Sequence, residues 1–186
     1  MEPESTHRDI ADQLLVVRCQ LGERDAFAEL VRRWAASLQR YAMKLAADAE
    51  LASDLTQDVW LRVLQGIGRL RDAAQFRAWL FGIAHRTFMD RLRSRYAMPV
   101  DDSADTETLA AVDDGDDRAD RERALAGGID SLPLVEREVL TLFYLEQLSL
   151  VDIAHALGIP AGTVKSRLFR ARTLLRRQLL SEGVLP

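Results

Sequence analysis

Residues 148–177, with the sequence LSLVDIAHALGIPAGTVKSRLFRARTLLRR, decide the fold of this chain. They predict two short helices joined by a tight turn. Ser149, followed three residues later by Asp152, is a capping-box start for the first helix. Gly158 supplies the turn, because a residue without Cβ adopts positive φ at little cost. Pro160 suits the first turn of the next helix, where its missing N–H costs nothing.

The second of these helices has one apolar face and one basic face. After Pro160 the chain holds six lysines or arginines and a single acid, Glu182. The chain has the residue spacing of a helix-turn-helix at Ala154, Gly158 and Val164. In that motif the small residue lets the helices cross closely, the glycine turns the chain, and the branched residue fills the angle between the helices. The apolar face comprises Val164, Leu168, Ala171 and Leu175. The stretch therefore predicts a helix-turn-helix and not merely a basic amphipathic helix.

Composition places the chain among globular proteins of a reducing compartment. It has 186 residues, 48% of them apolar, which is enough for one medium or two small domains. Cys19 has no partner for an intrachain disulfide, which fits the cytoplasm, and it is interpreted as a small buried hydrophobe. No apolar run is long enough to predict membrane insertion, and the polar, acidic start of the chain is unlike a signal peptide.

The negative charge is concentrated in one segment. The net charge is −4, but ten acids lie between residues 101 and 122, and the remainder is net basic. Because this segment also has few large apolar residues, it predicts a flexible acidic linker over residues 98–125. The linker divides an all-α chain, with no strand alternation, into helical domains over residues 1–97 and 126–182.

In the first domain we expect three helices before the arginine-rich helix over residues 75–95. We expect a helix over residues 9–21 that ends at Gly22. Its inward stripe is formed by Ile10, Leu14, Val17 and Leu21. A longer helix begins at Asp25. The helix over residues 51–65 carries an inward stripe and a separate row formed by Asp54, Gln57, Asp58 and Leu61. That row is either a solvated acidic face or a docking surface for a basic partner helix.

The helix over residues 75–95 combines aromatic side chains with arginines. Arg93 and Arg95 either complement the helix dipole or belong to a surface that stacks on unpaired bases. The aromatic members of that alternative surface are Phe76, Trp79, Phe81 and Phe88, of which Trp79 is favoured as a core residue.

The sequence has no pattern that supports catalysis or metal binding. Three histidines are isolated from one another, and DDGDD at 113–117 lacks the closing glutamate of a calcium loop. No phosphate-binding glycine loop or nucleophile–base pair is visible. We therefore expect no enzyme activity, no catalytic residue, no metal and no cofactor.

Taken together, these segments resemble a bacterial sigma factor of the extracytoplasmic-function (ECF) group, which belongs to the sigma-70 family. In the first domain the resemblance rests on DAFAELVRRW (25–34), DLTQDVWLRVL (54–64) and FRAWLFGIAHRTFMDRLR (76–93). In the second it rests on LPLVEREVLTLFYLEQLSLVDIAHALGIPAGTVKSRLFRAR (132–172). It covers nearly all of residues 9–180 and implies two helical domains, sigma domains 2 and 4.

The resemblance implies a role for each surface. The row on residues 51–65 matches the site that binds the β′ coiled coil of core RNA polymerase. The second helix of the helix-turn-helix matches the reader of the −35 promoter element, with Thr163 binding phosphate at its start; the implied contacts are Thr163, Lys165, Ser166, Arg167, Phe169 and Arg170. The loop 66–74 and the helix after it match the reader of the −10 element, with candidates Arg77, Trp79, His85, Arg86, Asp90 and Arg93.

The family pattern commonly has asparagine where this chain has Arg86, which implies either altered −10 contacts or a shift of these contacts towards phosphate. The resemblance also implies partners: the β′ and β subunits of core polymerase, promoter DNA and an anti-sigma factor. The alternative function is a two-domain helix-turn-helix regulator that acts without polymerase, its residues 1–96 sensing a ligand or phosphate. A nuclease or RNA-processing role is a weaker alternative, because no carboxylate or histidine cluster supports it.

Overall fold

The computed structural model describes residues 3–46, 48–97 and 117–184. In these ranges the chain is helical, with no strand, as the sequence predicts. Short 3₁₀ turns lie at Ile67–Arg69 and Ala73–Gln75, and a π turn lies at Thr141–Leu145. The α-helices are α1 (Pro3–Gln20), α2 (Arg24–Ala46), α3 (Ala49–Gly66), α4 (Phe76–Ala97), α5 (Asp117–Asp130), α6 (Leu134–Leu140), α7 (Leu150–Leu157) and α8 (Ala161–Ser181).

The helix-turn-helix forms as its local sequence predicts. Ser149 caps α7 in a capping box, accepting from the backbone N–H of Asp152, whose carboxylate accepts from the N–H of Ser149 in return. Gly158 follows α7 in the left-handed region at φ 65°. Pro160 is the N-cap residue of α8, one position before its first turn. Val164, Leu168 and Ala171 are buried, which confirms the apolar face, while Leu175 is half-buried.

The expected inward stripe of α1 is wrong. Ile10, Leu14, Val17 and Leu21 face solvent and are 59%, 60%, 44% and 75% exposed. The helix instead buries Asp12, Leu15 and Val16, and its Asp12 carboxylate pairs with Arg33 of α2 at 2.8 Å. Since residues 14–17 are all apolar, helical periodicity alone offers two faces, and packing against α2 selects the second. Gly22, at φ 87°, ends the helix as expected.

The first half, α1–α4, packs directly on the second half, α5–α8. One apolar cluster runs through both, from Leu30, Trp34 and Phe81 to Leu142 and Ile153. Helix α4 lies along α7, and α2 contacts α6. Helix α5 begins at Asp117, inside the segment 98–125 assigned to the linker from sequence; residues 98–116 of that segment lie outside the described residues.

Among the described helices, none is both long and apolar enough to cross a membrane.

Cys19 is half-buried against the apolar cluster. This burial raises the pKa of its thiol, which suits the interpretation of Cys19 as a small hydrophobic residue.

Candidate nucleic-acid and partner interfaces

The acidic row on α3 is a continuous exposed surface. Asp54, Gln57, Asp58 and Leu61 all face solvent, while Leu55, Val59 and Val63 on the opposite side are buried. The Asp54 carboxylate lies 3.7 Å from Arg91 of α4, in an ion pair that is about half exposed on both sides. A groove between α2 and α3, lined by residues that include Val31 and Trp60, opens beside Gln57. The two stripes predicted on this helix therefore exist as separate faces.

The basic face of α8 is also open. Lys165, Ser166, Phe169 and Arg170 are exposed, with Phe169 at 70%, while Thr163 and Arg167 are half-buried. The Ser166 hydroxyl donates to the carbonyl of Thr163 at 2.9 Å, and Arg170 lies 3.3 Å from the buried carboxylate of Glu136 on α6. This face of α8 therefore presents an exposed aromatic ring among exposed cations.

The residues expected to read the −10 element fall into two groups on α4. Arg86, Asp90 and Arg93 face solvent, and the Asp90 carboxylate lies 3.4 Å from Arg93 and 3.6 Å from Arg62 of α3. Arg77 and His85 instead point into the seam between the two halves. The chain therefore does not present all its −10 candidates on one open surface in this structure.

The aromatic residues of α4 belong to the core. Phe76, Phe81 and Phe88 are 1%, 0% and 5% exposed, so the alternative of a base-stacking surface built on them is wrong. Trp79 is half-buried and covers the end of α3, where a Cβ on Gly66 would come within 3.0 Å of its ring. The missing Cβ at Gly66 is what allows this ring to lie there.

Arg77 and His85 hold the second half through specific hydrogen bonds. Arg77 donates to the main-chain oxygen of Glu146 at 2.7 Å, and its guanidinium lies over the ring of Trp34 at 5.4 Å. His85 Nδ1 lies 2.8 Å from Glu138 Oε1. The same oxygen of Glu138 accepts from the hydroxyl of Tyr41 at 2.5 Å.

Sequence reasoning missed Glu138, Glu146 and Tyr41. A signal for Glu138 was present, because it lies four residues after Leu134 and four before Leu142, both apolar, on one helical stripe. An acid at such a position is informative, since a buried carboxylate needs partners. The sequence does not indicate that the partners are Tyr41 and His85, which lie 97 and 53 residues away along the chain.

Burial of Glu146 makes the stability of the chain depend on pH. Its side chain is 1% exposed, Oε2 lies 3.3 Å from Arg40, and Oε1 has no hydrogen-bond partner among the described residues. Burial raises the pKa of Glu146 above its ordinary 4.5, against the opposing effects of Arg40, Ser37 and Arg77. The folded protein therefore binds this proton more tightly than the unfolded chain does.

We expect Glu146→Gln to remove one pH-dependent loss of stability. As pH rises from 4.5 through the raised pKa, the free energy of unfolding of the wild type falls, because the folded state keeps a proton that the unfolded state releases. Glutamine does not titrate, so the variant should gain stability relative to the wild type over this interval. Chemical denaturation from below pH 4.5 to neutrality measures the difference. The exposed Glu182→Gln is the control; a constant difference for Glu146→Gln would contradict the assignment.

The described residues contain no group of three or more histidine, cysteine, aspartate or glutamate side chains that could hold a metal ion.

Comparison with known families matches both halves of the chain. The model for sigma-70 region 2 matches residues 30–97, and the model for sigma-70 region 4 matches residues 122–175. The RNA polymerase sigma-H factor of Pseudomonas aeruginosa is 33% identical, over 90% of this chain and 93% of that protein. The ECF RNA polymerase sigma factor SigM of Mycobacterium tuberculosis is 34% identical, over 94% of this chain and 88% of that protein.

Solved structures share the fold across both halves. CnrH, solved in complex with the cytosolic domain of CnrY, is 26% identical with a TM-score of 0.69, over 92% of this chain and 98% of that one. The sigma factor RpoE of Bartonella quintana, solved with the anti-sigma factor NepR, is 23% identical with a TM-score of 0.64, over 82% and 96% of the two chains. The second likeness concerns the fold alone.

Proposed function

Since the chain belongs to the extracytoplasmic-function group of the sigma-70 family, we propose that it binds core RNA polymerase through α3 and reads two promoter elements through α8 and α4. As a sigma factor it directs transcription initiation by recognising promoters. The observation that carries this proposal, with separate surfaces for polymerase and for DNA, is the exposure of two surfaces of opposite charge: the acidic row of α3 and the basic face of α8.

The acidic row is the proposed docking site for the β′ subunit of core polymerase. Asp54 and Asp58 lie one helical turn apart, with Gln57 and Leu61 completing a face that presents charge, an amide and an apolar anchor. Such a face suits a basic amphipathic helix, with the adjoining groove beside Gln57 accepting apolar side chains.

The basic face of α8 is the proposed reader of the −35 element. Lys165 and Arg170 have the reach and the donors for base edges in the major groove, and Phe169 adds an apolar contact. Thr163, in the first turn, lies where backbone N–H groups and the helix dipole favour a phosphate. Ser166 and Arg167 complete this proposed surface.

Helix α4 is the proposed reader of the −10 element. Exposed Arg86, Asp90 and Arg93 form its open part, and a phosphate is one proposed contact of Arg86. Arg77, Trp79 and His85 belong to the same proposed site but are partly covered in this structure. Trapping of unstacked bases by such a helix would assist strand opening.

An anti-sigma partner is proposed as well. CnrH, at 26% identity, was solved with the cytosolic domain of CnrY bound, so a similar chain accommodates a protein partner. Because the proposed partners are an anti-sigma factor, core polymerase and promoter DNA, we propose that the chain acts in the cytoplasm. We propose no enzymatic step for the chain itself, since its role is to bind and position.

The proposed function is tested by run-off transcription with core polymerase on genomic fragments. Purified protein should direct initiation at a discrete set of sites, and core polymerase alone should not. The match of residues 30–97 to sigma-70 region 2 favours this outcome over a regulator whose first domain senses a ligand. Tight binding to an operator without polymerase, together with no specific transcript, would instead support the regulator.

A further inference from the structure

Helix α1 has apolar side chains on two opposite sides. Leu15 and Val16 are buried and hold the helix against the rest of the protein. On the far side, roughly 180° around the helix axis at 3.6 residues per turn, lie four exposed apolar side chains. They form the outer stripe: Ile10, Leu14, Val17 and Leu21. A helix that is apolar on all sides is normally covered on all sides, so the outer stripe indicates a partner.

The outer stripe has the spacing of a coiled-coil seam. Its successive residues are four, three and four positions apart, which is the alternation of a and d positions in a heptad repeat. Leu21 lies one residue past α1, but its N–H donates to the carbonyl oxygen of Val17 at 3.1 Å, so it continues the helical spacing. The stripe is about 16 Å long at 1.5 Å per residue. Its shape therefore suits a second helix that lies alongside α1.

Polar residues at the end of α1 are paired within the chain and leave the outer stripe uncovered. Arg18 lies 2.8 Å from Glu23. The side-chain amide of Gln20 donates to the main-chain oxygens of Ile67 and Leu70 at 3.0 and 2.8 Å. Because α1 is held both on its buried side and at its end, the stripe is already formed in the single chain. Pairing with another helix therefore requires no ordering of α1.

The outer stripe is its own complement when two copies of α1 run antiparallel. About a two-fold axis midway between positions 15 and 16, Ile10 of one copy would face Leu21 of its partner copy. Leu14 would face Val17 in the same way. Every member of the stripe then meets an apolar residue, as an a position meets a d position in an antiparallel pair.

The residues beside the stripe agree with this register. Arg18 would face the uncharged Gln13 of the partner copy, and Ala11 would face Gln20, so no like charges meet beside the four apolar layers. The antiparallel arrangement also places opposite ends of the two helix dipoles together. A second copy of this chain therefore fits the outer stripe in both apolar pattern and charge.

We propose that the protein associates with a second copy of itself through the outer stripe, as an antiparallel pair of α1 helices. The four side chains offer on the order of 400 Å² per copy, within the range of the largest apolar patch of a typical monomer, which is often functional. Two copies bury on the order of 800 Å² from these side chains and more from the flanking residues, which approaches the lower limit of specific interfaces at about 1,200 Å². The pair is therefore a weak, reversible dimer that forms at high protein concentration.

Sedimentation equilibrium of the purified full chain, over a range of concentrations, tests the association. The average mass of the wild type should rise towards that of two chains, with a dissociation constant of roughly 10 µM to 1 mM. Leu14→Gln with Val17→Gln places two amides at the centre of the pair without hydrogen-bond partners, and it should weaken association about tenfold or more. Both residues are exposed in the single chain, so circular dichroism should show an unchanged fold.

The matched control is Val151→Gln with Leu180→Gln, which makes the same two changes at exposed positions of α7 and α8. It should associate as the wild type does. A wild type that keeps the mass of one chain at every concentration would overturn a second copy as the occupant and would assign the stripe to a helix of another protein. Equal association of the wild type and the α1 variant would overturn the outer stripe as the contact.

Cysteine cross-linking tests the register. Ile10→Cys and Leu21→Cys are made in separate chains, each in a Cys19→Ser background, and the two are mixed and oxidised in air. The mixture should form a disulfide-linked dimer that a reductant reverses, because position 10 of one chain meets position 21 of the other. Each variant alone should form little of it, since like positions lie about 16 Å apart, beyond the reach of a disulfide. Cys19→Ser alone is the control and should associate as the wild type does.

Equal yields of linked dimer from the single variants and from the mixture would overturn the antiparallel register. No linked dimer in the mixture, at concentrations where the wild type associates, would overturn the outer stripe as the contact. The inference does not rest on the proposed function, because no residue of the stripe belongs to the surfaces proposed for polymerase or DNA. Both experiments use the purified chain alone, so a failure of run-off transcription would leave them unaffected.

Discussion

Lys165→Ala and Arg170→Ala together are expected to abolish measurable discrimination between a −35 duplex and a scrambled duplex. Both side chains are exposed on the face of α8 that is proposed to enter the major groove. Each base contact of this kind contributes about 1–3 kcal/mol, or roughly 5- to 150-fold in specificity. Fluorescence anisotropy with the two duplexes at one fixed salt concentration gives the ratio of dissociation constants.

The matched control is Arg176→Ala with Arg177→Ala, which removes the same charge from exposed positions later in α8. These changes should weaken binding to both duplexes alike, because a general loss of positive charge acts through the phosphates. Arg170 also lies 3.3 Å from Glu136, so circular dichroism should accompany the binding data to show that the helix-turn-helix remains folded. An unchanged ratio for the first pair would contradict the assignment of α8 as the −35 reader.

Asp54→Ala with Asp58→Ala is expected to lower the affinity for core polymerase by on the order of 100-fold or more. Close charge pairs across a protein interface have coupling energies of about 1.5–7 kcal/mol, and this double variant removes two of the proposed charges. The change should have little effect on folding, because the pair between Asp54 and Arg91 is long, at 3.7 Å, and about half exposed. Biolayer interferometry with immobilised core polymerase measures the affinity.

Asp25→Ala with Glu29→Ala is the control for this experiment. It removes two acids with the same four-residue spacing from the neighbouring helix α2, outside the proposed docking row. The control should retain nearly wild-type affinity at the same ionic strength. If both double variants bind equally well, the row on α3 is a solvated face, which is the first of the two interpretations that its spacing allowed.

The parts of this protein that its sequence determined are those in which the deciding residues lie within a few turns of each other. The capping box at Ser149, the left-handed turn at Gly158 and the buried stripe of α8 follow from local chemistry and from the helical repeat. The separate stripes of α3 follow for the same reason. The assignment of roles to the exposed stripes came from family resemblance, and those residue roles remain proposals.

Only the tertiary structure decided which apolar face of α1 is buried and how the two halves meet. Residues 14–17 are apolar on all sides of the helix, so the choice depended on what α2 presents to it, including the pairing of Arg33 with Asp12. The meeting of Glu138 with Tyr41 and His85 joins residues 97 and 53 positions apart. No local pattern encodes such distances, because burial of a carboxylate becomes favourable only when separate helices bring its donors together.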